Sequence, residues 1–401
     1  MHVPPNPLTK APSPVDGIVA ESSLPLIQFN RPYAAPKAFD YMREAIASAH
    51  TCGGGSFTSR CHAFLEQEMG CVKALLTTSC TDALEMCALL LGITAGDEVI
   101  VPSFTFVSTV NAFVLHGATP VFCDIRADTL NLDENSVERL ITPKTKAIVV
   151  VHYAGIGCEM DAIMAIAQRH GIVVVEDNAH GLFGKYKGRF LGTFGTLATQ
   201  SFHETKNFNC GEGGALVIND RTFIERAEII RDKGTDRSRF FRGQVDKYTW
   251  VDIGSSYLPS DMLAAYLYAQ FELKQEIQGT RMRIWLHYES ALRSWASANG
   301  VRLPCVPHHC EQPYHLFYLI LPSLSVRQAL IAHLKALNII SPFHYQPLHL
   351  SDKGRAYGGK AGDCPITEAV SNRILRLPVY NDLVEKDLDR VVSGVSSFRA
   401  K

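Results

Sequence analysis

Residues 172–180 read IVVVEDNAH: four β-branched residues, Ile172 to Val175, that run straight into the acids Glu176 and Asp177. Nothing in the run alternates between apolar and polar. A strand apolar on both faces is covered on both faces, as in a mainly parallel sheet flanked by helices. Such sheets hold ligands beyond the carboxyl ends of their strands, which is where Glu176 and Asp177 fall. A carboxylate at the end of a buried strand needs a cationic partner or a metal. Asp177 facing a protonated ring nitrogen meets that need, and His180, three residues on, can bond to a neighbouring oxygen.

The same grammar repeats on either side of this run. A strand precedes Thr77, and Leu84, Cys87, Ala88 and Leu91 follow the i, i+3, i+4, i+7 spacing of a helix with one buried face. Strands are expected at Glu98–Val101, Pro120–Asp124 and Ala147–Val151, and helices at Thr109–His116 and Met160–His170. The pattern predicts an open α/β domain built on a mainly parallel, seven-stranded type of sheet with helices on both faces. Past Ser260 the pattern changes. Met262–Arg283 reads as one long helix, followed by a strand at Leu316–Leu321, a helix at Val326–Leu337, a strand at Ile339–Tyr345 and a helix at Thr367–Leu375. The expected division is a proline-rich tail over 1–25, a large domain over 26–275 and a small α+β domain over 276–401.

Composition narrows the class. Lys plus Arg number 39 and Asp plus Glu 40, so the net charge of −1 provides no general field for nucleic acid or an anionic membrane. Eleven cysteines scattered through 401 residues read as reduced thiols rather than a disulfide framework. The first residues lack the basic start and continuous apolar run of a signal peptide, and no apolar run approaches a membrane span. A soluble, cytoplasmic protein is expected.

Two further sites belong with Asp177. Thr77, Thr78, Ser79, Cys80, Thr81 and Asp82 lie between a strand and a helix, where free N–H groups and hydroxyls make a phosphate cradle as well as an ordinary helix cap. Lys206, in SFHETKNF, stands 29 residues after Asp177, and Gly211, Glu212, Gly213 and Gly214 follow it. A lone lysine beside a glycine-rich turn is most often a solvated surface residue. In combination, however, an anion cradle, an acid and an amine are what pyridoxal phosphate requires.

The runs TTSCTDALEM (77–86), PSFTFVSTVNAF (102–113), VVVEDNAHG (173–181) and SFHETKNF (201–208) resemble the DegT/DnrJ/EryC1/StrS sugar aminotransferases of fold type I, which act on nucleotide-linked keto sugars. FFRGQVDKYTW (240–250), DIGSSYL (252–258) and FHYQPLH (343–349) extend the likeness, which runs from about Ile27 to Val391. By position, the resemblance makes Lys206 the amine that holds the cofactor aldehyde and Asp177 the partner of the pyridine nitrogen. It puts Phe106 against the ring and gives Ser79, Cys80, Thr81 and Ser201 the phosphate. His180 stands where glutamine is usual, Asn178 where a small residue is usual, and Ser255 and Ser256 where many relatives have an asparagine that reaches the partner subunit's phosphate. The resemblance further implies glutamate as donor and a homodimer with active sites at the seam. As acceptor it implies dTDP-4-keto-6-deoxyglucose, aminated at C4 to dTDP-4-amino-4,6-dideoxygalactose, as in enterobacterial common antigen synthesis. Arg239, Tyr248, His344 and Tyr345 are the candidate sugar or nucleotide contacts.

A gluco product or amination at C3 suits the same spacing, and a sugar-binding regulator could keep the fold without turnover. The 3-dehydratase branch replaces the cofactor lysine by histidine, against which Lys206 argues. Cys305, His308, His309 and Cys310 lack a second ligand pair at finger spacing, so no metal is expected there. Gly53, Gly54 and Gly55 follow no evident strand and are left without a role.

Overall fold

The chain is described here by a computed structural model covering residues 24–399; most of the expected tail, residues 1–23, lies outside the described residues. Seven strands form the central sheet: β1 (Lys73–Thr77), β2 (Glu98–Pro102), β3 (Thr119–Cys123), β4 (Thr145–Val151), β5 (Val173–Asp177), β6 (Leu197–Ser201) and β7 (Gly214–Ile218). Their order is β1-β7-β6-β5-β4-β2-β3, with β7 antiparallel to both its neighbours and every other pair parallel. The expected sheet is therefore observed. Alternate residues serve opposite faces: Ile148, Val150 and Val174 join one core, Ala147, Val149 and Val175 the other. This two-sided burial is why the strands carry unbroken apolar runs.

Helices α1 (Ala38–Ala47) and α2 (Ser56–Met69) precede the sheet; α3 (Cys80–Leu90), α4 (Val107–Val114) and α5 (Met160–His170) are crossovers within it. One of the three glycines left without a role serves α2. Gly55 is its N-cap, and a Cβ there would come within 2.4 Å of the Asp261 carboxylate. That carboxylate accepts from the N–H groups of Phe57 and Thr58 at 3.2 and 2.7 Å, so only glycine leaves room for the cap.

The single helix expected over Met262–Arg283 is two, α6 (Asp261–Glu272) and α7 (Lys274–Ala298), broken at Leu273. The break lets α6 and Ile277 pack on the large core while Ile284, Trp285, Tyr288 and Leu292 fill the C-terminal one. There β8 (Phe317–Ile320), α8 (Leu324–Ala336), β9 (Ile374–Leu377) and α9 (Glu385–Ser397) assemble, with β8 and β9 antiparallel.

Two expectations fail in this layer. Ile339–Tyr345 is no strand, holding only an isolated bridge from Ile339 to Ile27. Pro342 offers no N–H, and Tyr345 sits at φ +33°, outside extended backbone. The helix read over Thr367–Leu375 spans Pro365–Ser371 instead, and Ile374 and Leu375 belong to β9. Apolar runs this short fit either element until a pairing partner decides.

Contacts over the carboxyl edge of the sheet fix the C-terminal layer. Asp124, just past β3, accepts from the N–H groups of Ile366 and Thr367 at 2.9 Å each, and buried His349 bonds to Ser103 Oγ at 2.6 Å and Glu368 at 3.1 Å. No helix among the described residues is long and apolar enough to cross a membrane.

Candidate active site

A cavity of about 800 Å³ lies beyond the carboxyl ends of β1, β5 and β6, roofed by the C-terminal layer. Ser79, Cys80, Thr81, Phe106, Asp177, His180, Ser201, Lys206, His344 and Tyr345, ten of the residues singled out in the sequence, line it. Arg239 and Tyr248 are not among its lining residues. Arg239 pairs with Glu225 at 3.4 Å, and Tyr248 is half exposed beside Phe240.

Ser79 caps α3, its Oγ accepting from the Asp82 N–H at 3.0 Å. The N–H groups of Cys80 and Thr81, in the first turn, have no intrahelical acceptor and stand at the cavity wall. Strand β7 closes in behind them. A Cβ on Gly214 would lie 2.4 Å from the Cys80 nitrogen, so the glycine-rich turn after Lys206 is what lets the strand reach the helix start. Thr81 Oγ1 donates to Ser108 Oγ at 2.8 Å, and the Cys80 thiol, its pKa raised by burial, faces Thr199 Oγ1 at 3.4 Å.

Neighbouring acids at the end of β5 divide their tasks by the alternation of the strand. Glu176 is buried, accepting from His152 Nε2 at 2.9 Å and from the N–H groups of Gly192, Phe194 and Gly195 at 2.6–2.7 Å. It pins that loop and takes no part in the cavity. Asp177 lines the cavity. Its Oδ2 accepts from Thr109 Oγ1 at 2.7 Å and its Oδ1 from the Ala179 N–H at 3.1 Å. Burial raises its pKa, while these two bonds and the Lys206 charge oppose the rise. Asn178 turns away, donating to Leu191 O and Gln200 Oε1.

Lys206 follows the bend after β6, its N–H bonded to His203 O at 2.9 Å. Burial lowers its amine to about 8, against the pull of Cys80 and Asp177 and with the push of Arg376. His180 is also driven well below the ordinary value by burial and by those two cations, so it is neutral. Its Nδ1 accepts from the Ala154 N–H at 3.3 Å, which puts the proton on Nε2, 3.5 Å from Tyr345 Oη. Phe104 and Phe106 separate cleanly. Phe104 is core, packed on Tyr153 and Tyr345, whereas Phe106 lines the cavity with 57% of its surface exposed.

Thr109, His315 and Arg376 line the cavity as well, without having been singled out in the sequence. Thr109 lies inside a quoted motif, but its bond to Asp177 bridges 68 residues and has no local sign. Of Cys305, His308, His309 and Cys310, His309 pairs with Glu159 at 3.1 Å and Cys310 faces Gly157 O.

The donor set fits pyridoxal phosphate group by group. A helix start with a glycine-cleared wall suits the phosphate, a buried carboxyl the pyridine nitrogen, a neutral imidazole N–H the phenolic oxygen, a bare aromatic face the ring, and an amine near neutrality the aldehyde. A parallel-sheet fold and this site define a pyridoxal-phosphate-dependent enzyme of fold type I.

The DegT/DnrJ/EryC1/StrS aminotransferase family model matches residues 34–396, and the chain belongs to that family. An uncharacterized protein of Methanocaldococcus jannaschii is 34% identical over 337 residues, covering 82% of this chain and 86% of that one. The aminotransferase TlmJ from Streptoalloteichus hindustanus superposes with a TM-score of 0.85 at 29% identity, over 93% of this chain and 98% of its own. A Streptococcus pneumoniae protein described as a sugar aminotransferase, in its PLP form, gives a TM-score of 0.85 at 25% identity, with 93% and 98% covered. The protein is an aminotransferase whose cofactor is pyridoxal phosphate.

Proposed function

We propose that this enzyme moves the amino group of glutamate to C4 of dTDP-4-keto-6-deoxyglucose and releases dTDP-4-amino-4,6-dideoxygalactose. The observation that carries amino transfer is the meeting of Lys206, Asp177 and the start of α3 in one cavity. The sugar half is supported by the motifs FFRGQVDKYTW, DIGSSYL and FHYQPLH, and by a structural relative described as a sugar aminotransferase.

The cofactor supplies an aldehyde that condenses with amines and a ring that accepts the electron pair left when a proton departs. The chain's own residues supply the rest. Ser79, Cys80, Thr81 and Ser201 would hold the phosphate and so fix the cofactor against the start of α3. Asp177, fixed by Thr109 and the Ala179 N–H, keeps a proton on the ring nitrogen. His180 donates from Nε2 to the phenolic oxygen, and its neutrality avoids a third cation beside Lys206 and Arg376. Lys206 is resting anchor and then base. With its Nζ free, it would take the proton from the donor's α-carbon and later deliver one to C4 of the sugar. Because a single tethered amine would deliver the proton, the sugar face presented to Lys206 would decide the epimer. His344 and Tyr345 serve the sugar, and a homodimer is the working form.

Purified protein loaded with cofactor tests this. Its visible band should bleach with glutamate and return with the keto sugar, and the H4 coupling of the product should report an axial amine. An equatorial amine would identify the gluco epimer. Sugar binding without bleaching would identify a regulator.

A further inference from the structure

His315 lines the cavity yet holds none of the roles assigned so far. It stands at the entry to β8, where Arg281 clamps the backbone, its Nε donating to Tyr314 O at 3.1 Å and its Nη2 to His315 O. The residue is only 8% exposed, and its Nδ1 bonds to Asn207 Oδ1 at 2.9 Å. The amide nitrogen of Asn207 donates to Pro313 O at 2.7 Å and Gln278 Oε1 at 3.3 Å, which turns its oxygen toward His315. The imidazole therefore donates from Nδ1. Burial first, and then its basic neighbours, drives its pKa well below the ordinary value, so the ring is neutral and Nε2 keeps a lone pair. Among the described residues no hydrogen bond is made to that nitrogen.

Geometry places this acceptor beside the reacting groups. The His180 ring lies 4.4 Å away, tilted by 30°, and Asn207 directly follows Lys206 in the chain. The cofactor's own groups are matched elsewhere: its phosphate at the start of α3, its ring nitrogen at Asp177, its phenolic oxygen at His180 and its aldehyde at Lys206. None of them is left to give His315 a proton. A buried lone pair without a donor costs free energy until a ligand supplies one.

We infer that His315 Nε2 accepts a hydrogen bond from the hydroxyl next to the carbon of the sugar that is aminated, an inference that rests on the sugar aminotransferase reading above. Glutamate is the wrong partner: its amino group is spent on the aldehyde, and what remains are carboxylates, acceptors that a second lone pair repels. A hexose is the right one. Its hydroxyls are neutral donors, and they add no charge to a cavity that already holds Lys206 and Arg376. In a 4-keto-6-deoxyhexose, C4 lies between C5, which bears no hydroxyl, and C3, which does, so the bonded group is the 3-hydroxyl. His315 thereby acts as a specificity residue for the acceptor half of the reaction.

The test is equilibrium calorimetry on wild type, H315N and H315Q, each loaded with cofactor, with two unreactive probes: dTDP-6-deoxyglucose and the same nucleotide sugar without its 3-hydroxyl. Asparagine keeps an N–H toward Asn207 and removes the acceptor, whereas glutamine returns an acceptor to the place of Nε2. Wild type should prefer the hydroxylated probe by about tenfold, the scale of one hydrogen bond to a buried group. H315N should lose that preference and H315Q recover part of it. The preference is a ratio within each variant, so a general loosening of the cavity does not imitate it. Equal affinity of wild type for the two probes, or a preference that survives in H315N, would overturn the inference. So would an H315N defect confined to the glutamate concentration that half-bleaches the visible band. Wild type that binds neither probe, and whose bleached band the keto sugar never restores, would instead overturn the sugar reading.

Discussion

Lys206 and Asp177 leave their ordinary ionisation ranges in opposite directions for one reason: burial penalises charge, lowering the amine and raising the acid. The sign has a kinetic consequence. Only the neutral amine attacks an aldehyde, and an amine at about 8 is mostly protonated at neutral pH. Capture of pyridoxal phosphate by cofactor-free protein should therefore accelerate about tenfold per pH unit up to about 8 and level off above it, as followed by stopped-flow absorbance. A plateau near the ordinary lysine value would contradict this. Lys206→Ala should abolish the visible band and cut turnover by at least about a thousandfold, the scale of losing nucleophile and base together. A persistent band would mean that another lysine holds the aldehyde. Asp177 was legible because it ends an all-apolar run, and Lys206 because it stands 29 residues further on, beside a glycine-rich turn and within a motif shared with the family. His315 was not, since one histidine before a short strand has no periodic signature and its free nitrogen is visible only in three dimensions.

Strand β7 and helix α3 meet through Gly214, whose missing side chain leaves the approach to Ser79 and Cys80 open. The obstructing atoms are backbone, which no rotamer change relieves. Gly214→Ala should cost about 1–3 kcal/mol of stability by overpacking. It should also weaken cofactor binding by more than tenfold, because the helix start that holds the phosphate must move. Denaturant unfolding and absorbance titration measure the two effects, and intact cofactor affinity would show that the helix start is not the cradle. Parallel strands announced themselves because burial on both faces removes alternation, as at Ala147–Val151. Elements that depend on a distant partner did not. The bend at Leu273 follows from two cores competing for one helical stretch, and Ile374–Leu377 becomes a strand only because Phe317–Ile320 lies beside it. Periodicity within either segment holds no trace of those partners.

The chain closes its cavity from two layers but leaves an apolar, aromatic-rich stretch bare: Phe241, Tyr248, Trp250, Val251 and Ile253 are each at least half exposed. Aromatic exposure on this scale is uncommon for a surface that stays in water. Ser255 and Ser256 directly follow, at the positions where the family likeness points toward a partner subunit. Ser256 lines a second, smaller cavity with Lys233, Arg237 and Asp232, whose carboxylate pairs with both cations. A second copy of the chain docking here would cover the aromatics and bring those cations toward its neighbour's site. Light scattering after size exclusion should thus give twice the chain mass. The pair Phe241→Glu and Trp250→Glu should shift it toward monomer, since each carboxylate would be buried without a partner. If the sites are shared, activity should fall with the dimer fraction and recover as protein concentration rises. Wild type that runs as a monomer, or a monomeric double variant with full activity per chain, would remove the seam from the mechanism and leave each cavity complete within its own chain.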